Sequence, residues 1–212
     1  MRVPSILGVF SIALALSPSL ASAQDAPSLD ALLARFAASP GMEARFREEK
    51  RIALLAVPTR SEGHIWFAAP NRMLRRTERP EESAALIAEG QLRMRSGEQT
   101  EVLEIDSNPV LRGFVDSFRA VLAGDRASLA RFYDAELTRN AEAGEDGWEL
   151  RLRPRQDALR RFLREIRMVG TGTTIRSMRM LEVNGDETRT EFFDVNTSRR
   201  YSAAEARRIF RL

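Results

Sequence analysis

The chain has 212 residues, 43% of them hydrophobic and 30% charged, which fits one globular domain with a substantial core and excludes a disordered or collagenous polymer. Its formal charge of +3 comes from 33 basic and 30 acidic residues, too even a balance to imply a nucleic-acid partner. Cysteine is absent, so disulfides, thiolate metal sites and cysteine nucleophiles are excluded.

Met1 to Ala23 has the make-up of a secretory leader: Arg2 supplies the positive start, Ile6 to Leu16 the apolar centre, and Ala21-Ser22-Ala23 the small-residue cleavage pattern. Cleavage before Gln24 is expected, which leaves 24–212 as a single soluble domain. The apolar run is too short to span a bilayer comfortably, and no cysteine follows it to receive a lipid.

After the leader, Ser28 can cap a short helix whose Leu29, Leu32, Leu33 and Phe36 share one stripe, and Ser39-Pro40-Gly41 ends it. From Met42 to Arg95 run strand-like segments broken at Pro58, Pro70, Pro80 and Gly90. On the first, alternate positions carry Arg45, Arg47, Glu49 and Arg51 on one side, and Ala44, Phe46, Glu48, Lys50, Ile52 and Leu54 on the other. Period-two alternation predicts one wet face and one covered face, and it puts Glu48 and Lys50 on the covered side with Phe46. Gly63 to Phe67, Arg72 to Thr77, Leu86-Ile87, Leu92 to Met94 and Glu101 to Ile105 extend this into an antiparallel meander.

Asn108 as cap, Pro109 at the first helical position and Gly124 as the stop mark the clearest helix. Its stripe is Val110, Leu111, Phe114, Val115, Phe118, Val121 and Leu122, with Arg112 and Asp116 one turn apart on the other side. Asp125 caps another short turn, and Tyr133, Ala135 and Leu137 suggest a strand. Trp148, Leu150 and Leu152 alternate with Glu149, Arg151 and Arg153 as a strand closed by Pro154. A turn or short helix over Arg155 to Arg164, strands from Ile166 and Thr173, a tight hairpin at Asn184-Gly185 with both residues at positive φ, and a terminal helix boxed by Ser202 and Glu205 complete the chain. Many hairpins joined to a few amphipathic helices predict an α+β, mainly β fold: a strongly curved sheet whose open side the helices cover.

The meander resembles the periplasmic outer-membrane lipoprotein carrier family of the LolA type, and above all its divergent LolA-like branch. The matching pieces are Arg45-Phe46-x-Glu48-x-Lys50, Pro58 and Ser61-x-Gly63, then Phe67-x-x-Pro70-x-x-x-Leu74-x-x-x-Thr77 with Pro80, and Gly90-x-Leu92. The resemblance implies an incomplete antiparallel β-barrel with an α-helical lid over a hydrophobic cavity. It implies a monomeric periplasmic carrier that takes the acyl chains of a lipoprotein or glycolipid from an inner-membrane releasing or exporting complex to an outer-membrane acceptor. Cavity and lid would then draw on Phe46, Leu54, Ile65, Trp66, Phe67, Leu74, Ile87, Leu92, Met94, Leu103, Phe114, Phe118, Leu122, Trp148 and Leu150. Glu48, Lys50 and Arg72 would be the polar lining or latch. Two departures stand out: Ala69 replaces an arginine the better-known carriers often place before the motif proline, and the chain ends in a helix instead of a proline-containing tail.

Read from the residues alone, the aromatic set Phe46, Trp66, Phe67, Phe114 and Phe118 either fills a core or lines a pocket. Glu48 and Lys50 either line the interior or sit at a rim where a bulge turns them to water. The arginines at 72, 75, 76 and 79 and from 151 to 164 suit anionic lipid head groups or simply a solvated face. His64 is the only histidine, no Gly-rich phosphate loop opens a helix, and no Ser-centred elbow occurs, so no enzyme, cofactor or metal is expected. The rival reading is a structural or adaptor domain of the envelope with a filled barrel.

Overall fold

Glycine, proline and short polar pairs cut the chain into strands of 6 to 11 residues, and alternation within each strand decides which side chains share a face. The computed structural model describes residues 28–212, apart from the side chains of Val110, Phe114, Ser117, Phe118 and Arg119; the expected leader, Met1 to Ala23, lies outside them. Helix α1 (Leu29–Ala37) precedes strands β1 (Gly41–Arg51), β2 (Thr59–Ala68), β3 (Arg72–Arg79), β4 (Ser83–Ala88), β5 (Gln91–Ser96) and β6 (Gln99–Glu104). Helices α2 (Pro109–Leu122) and α3 (Arg126–Phe132) follow, then β7 (Tyr133–Arg139), β8 (Gly147–Pro154), the one-turn α4 (Asp157–Arg160), β9 (Leu163–Thr171), β10 (Thr174–Glu182), β11 (Glu187–Asn196) and α5 (Ala203–Ile209).

The strands form one antiparallel sheet in the order β6-β5-β4-β3-β2-β1-β11-β10-β9-β8-β7. Two meanders are thus joined where β1 pairs with β11, and the curved sheet stays unclosed, with β6 and β7 as its ends. The register sets Phe46 opposite both Gly63 and Phe192, so the Ala44, Phe46, Glu48, Lys50 set lies on one face across the whole middle of the sheet.

That inner face carries the helices. Leu32, Leu33 and Phe36 of α1, Val121 and Leu122 of α2, and Leu129 and Phe132 of α3 bury against Met42, Ala44, Ile65, Phe67, Leu150, Leu152, Ile166 and Met168. The helix starts are capped as the sequence leads one to expect. Ala31 N–H donates to Ser28 Oγ (3.3 Å), Leu111 N–H to Asn108 Oδ1 (3.0 Å) and Ser128 N–H to Asp125 Oδ1 (2.9 Å). Gly124, at φ +68°, ends α2 against α1 so closely that a Cβ there would collide with the Leu33 carbonyl oxygen. Arg112 and Asp116 pair across one turn of α2 at 3.9 Å.

The outer face is a ladder of arginines and carboxylates, for example Arg151 and Arg153 around Glu165 and Arg179 with Arg189 around Glu187. It also has a small core of its own: Leu74, Ala84, Leu86 and Ala88, with Trp66, lie under Ile209, Phe210 and Leu212. The capping box of Ser202 and Glu205 holds α5 there, and the Glu205 carboxylate is kept at about 2 by the Ser202 backbone N–H and then by Arg199. Burial raises the Tyr201 hydroxyl above its usual value, and that group donates to the Met42 carbonyl at 2.8 Å.

Two expectations are corrected. β1 ends at Arg51, so Ile52 begins a loop and Leu54 stands 95% exposed instead of joining the covered face. At Asn184-Gly185 only Gly185 has positive φ (93°), and the chain turns over 183–186. Asn184 Oδ1 there accepts from Asp186 N–H (3.0 Å), while the Asp186 carboxylate accepts from Ala53 N–H (2.9 Å), which pins a wider turn to the β1–β2 loop.

Candidate functional site

Between the sheet and α2 lies a cavity with a wholly apolar lining: Met42, Ala44, Ile65, Met73, Leu122, Met168, Ile175, Met178, Phe192 and Val195. It has about 30 Å³ of room for a water-sized sphere, against roughly 300–1,000 Å³ for pockets that hold small ligands. Among the described residues, Leu122 of α2 is the one helix residue in that lining, and the remaining walls come from the strands and from Val195 at the end of β11.

The wall is rich in methionine. Registers place Met42, Met73, Met94, Met168, Met178 and Met180 all on the inner face, every methionine of the chain except Met1. Unbranched, polarizable side chains of this kind repack around irregular apolar shapes at low cost. The same face runs on past the helices as a row of half-buried side chains, Met73, Ile87, Leu92 and Leu103, with Met94 one pleat further along.

Toward the other end of β1 the inner face turns polar. The Glu48 carboxylate accepts from Arg75 Nη2 (2.9 Å) and from Thr190 Oγ1 (2.8 Å), and the Arg75 guanidinium stacks 4.3 Å above the Phe46 ring. Lys50 Nζ reaches Glu182 Oε1 at 3.3 Å. β1 keeps its register here, Glu48 opposite Ser61 and Thr190, so no bulge turns these groups outward. They form an ion-pair cluster at the polar boundary of the apolar wall, where water is partly excluded.

Of the residues the sequence singled out, Phe46, Ile65, Phe67, Leu122, Trp148 and Leu150 are buried on the helix-covered side. Trp148 donates from Nε1 to the Gly172 carbonyl (2.9 Å) and meets Phe36 of α1 edge-on at 6.1 Å, so it couples the sheet to α1. Trp66 and Leu74 belong to the opposite face, under α5, because Trp66 opposes Leu74 and alternates with Ile65 and Phe67. Arg72 is exposed at the start of β3 with that same outward parity, and the arginine that reaches Glu48 is Arg75 instead. The side chains of Phe114 and Phe118 lie outside the described residues. Sequence reading missed Arg75, Thr190, Phe192, Met168 and Met178. Met168, Met178 and Phe192 carry the right parity in their strands, but Arg75 becomes visible only once the β2–β3 register is known.

α2 docks through small residues at both ends. Gly113 packs on Leu159 of α4, where a Cβ would stand 2.8 Å from a Leu159 methyl, and Gly124 packs on α1. Arg126 joins Asp30 at 2.8 Å, tying α3 to α1. His64 lies on the outer face, stacked on Trp66 at 5.4 Å with Nδ1 2.8 Å from Glu78 Oε1. Among the described residues no three His, Asp or Glu side chains converge as a metal site, and no helix is long and apolar enough to cross a membrane.

Solved structures with a similar chain path include a LolA superfamily protein from Nitrosomonas europaea, at 11% identity over 88% of this chain and 98% of that one (TM-score 0.45). Another is a putative outer membrane lipoprotein-sorting protein domain from Vibrio parahaemolyticus, at 10% identity over 83% and 94% (TM-score 0.49). A third is the MucA/MucB complex of Pseudomonas aeruginosa, at 16% identity over 83% and 59% (TM-score 0.46). No curated protein matches this chain. The family model described as outer membrane lipoprotein carrier protein LolA-like matches residues 21–208, nearly the whole length, and the chain belongs to that family.

Proposed function

We propose that this protein is a periplasmic carrier that shelters the acyl chains of a lipoprotein or other envelope lipid and moves them from the inner to the outer membrane. The observation that carries the reading is the wholly apolar, methionine-lined cavity between the curved sheet and helices that pack on one another through glycine contacts. Each CH₂ left in water costs about 0.8 kcal/mol, so a chain of about a dozen carbons costs on the order of 10 kcal/mol. A carrier has to offset that cost with an apolar wall and then release its load. Met73, Ile87, Leu92 and Leu103 give the wall a length beyond the closed cavity, and displacement of α1 and α2 joins the two parts. Donor and acceptor are membrane-bound complexes at the two membranes, and the carrier travels as a monomer without a cofactor.

The small volume of the closed cavity favours one rival, an adaptor whose interior stays filled. Native mass spectrometry of the exported protein, purified without detergent, separates the two. Near-stoichiometric lipid supports the carrier and identifies its load. Protein that stays empty after export, and after incubation with total envelope lipid, leaves only the adaptor.

A further inference from the structure

Among the described residues, six large hydrophobic side chains stand exposed, and five of them gather at one end of the sheet: Leu54, Leu55, Val57, Phe162 and Val183. Three separate segments bring them together. The β1–β2 loop is held to the β10–β11 turn by Asp186 accepting from Ala53 N–H (2.9 Å), and Val183 N–H donates to the Phe162 carbonyl (2.9 Å). Sequence alternation does not explain these residues, and the fold does not cover them.

Cations bracket two of the three apolar segments. Lys50 and Arg51 precede the β1–β2 loop, Arg60 follows it, and no acid lies between; Arg161 and Arg164 enclose Phe162. The nearby carboxylates are engaged: Glu182 by Lys50, Glu49 by Arg51 and Arg60, and Asp157 by Arg160. Arg161 and Arg164 are exposed and make no ion pair among the described residues.

We propose that this end is a membrane-docking surface, with Leu54, Leu55, Val57 and Phe162 entering the head-group boundary of an anionic bilayer and Arg161 and Arg164 meeting lipid phosphates. Leu54 stands 95% exposed and Leu55, Val57 and Phe162 between 53% and 73%, and a fluid interface closes around apolar side chains projecting from loops in this way. Flanking guanidinium groups match an anionic leaflet. The docking end adjoins the lid, since Leu159, which receives Gly113 of α2, lies three residues before Phe162. The inference goes beyond the carrier reading and does not require it.

Because the chain has no cysteine, Leu55→Cys in the mature protein takes a single environment-sensitive dye. The probe is sedimentable vesicles of phosphatidylcholine, with and without one-third phosphatidylglycerol. Anionic vesicles should pull the protein into the pellet, blue-shift the dye and expose it to quenching by brominated lipid. Leu54→Ser, Val57→Ser and Phe162→Ser together should cut the bound fraction roughly tenfold or more with circular dichroism unchanged. Arg161→Gln with Arg164→Gln should remove the preference for anionic vesicles. An unshifted dye, partition indifferent to these variants, or a shift that stays in the vesicle-free supernatant, as lipid extraction or self-association produces, overturns the proposal. None of these outcomes alters whether lipid co-purifies with the protein.

Discussion

Gly124 is where the packing of α2 on α1 is most open to test. Its φ of +68° is a conformation in which a Cβ costs about 1–2 kcal/mol. An alanine methyl there would meet the Leu33 carbonyl oxygen and stand 2.7 Å from the Ala37 Cβ, so Gly124→Ala must push α1 away. α1 is held by Leu32, Leu33 and Phe36, each no more than 5% exposed. Burial of a large apolar side chain is worth about 1.5–3 kcal/mol, an upper bound of roughly 4.5–9 for three. A gap of about 0.5–1 Å forfeits a quarter to a half of that contact, or about 1–4.5 kcal/mol. With the backbone strain, the expected loss is about 2–6.5 kcal/mol, and its distribution matters more than its size. If α1 and α2 are a lid, hydrogen exchange will show their amides losing protection while β8, β9 and β10 keep theirs, and uptake of phenylnaphthylamine will rise. Protection falling equally across the sheet, or unchanged dye uptake, would refute the idea that these helices are separable from the wall.

Other expectations concern the same elements. The position of a Gly113 Cβ lies 3.0 Å from Leu159 Cγ, so Gly113→Cys with Leu159→Cys falls within disulfide reach of about 3.5–4.5 Å between Cβ atoms. Oxidation should abolish dye or lipid uptake and reductant restore it; uptake indifferent to redox state means that α2 does not move. Glu48→Ala leaves Arg75 without its 2.9 Å partner and should cost about 1.5–3 kcal/mol in urea unfolding, part of it returned by adding Arg75→Met, whereas strictly additive losses would contradict a coupled pair. Glu187 is held at about 2, chiefly by its hydrogen bond from Arg179 (2.7 Å) and also by Arg189. Since its folded value lies below the usual 4.5, its contribution is whole above that pH and fades as pH falls toward about 2. Glu187→Gln should flatten that acid limb in a series of urea midpoints, and an unchanged limb would assign acid sensitivity elsewhere.

Much of this was legible in the residues. The alternation from Ala44 to Lys50 put Glu48 on the covered face while leaving open whether a bulge turned it to water, the Asn108, Pro109 and Gly124 signals bounded α2, and the stripe of α1 named three of the residues that bury it. What failed did so for local reasons. Ile65-Trp66-Phe67 is apolar at both parities, so the strand does not say which face is the cavity, and the helix that hides Trp66 lies far along the chain. Leu54 kept its alternation on paper after the strand had ended, because the Asp186 carboxylate that caps Ala53 comes from another hairpin. Arg75 is one of several arginines on β3, and only cross-strand register picks it out as the partner of Glu48.

The middle position of β1 has a kinetic consequence. Its partners come from opposite ends of the chain: Phe46 faces Gly63 on one side and Phe192 on the other, a separation of 192 − 46 = 146 residues. Half of the central ladder therefore waits for the last strand to be synthesised, and loop closure over that span opposes early assembly. β11 has to be available before the two meanders can zip together.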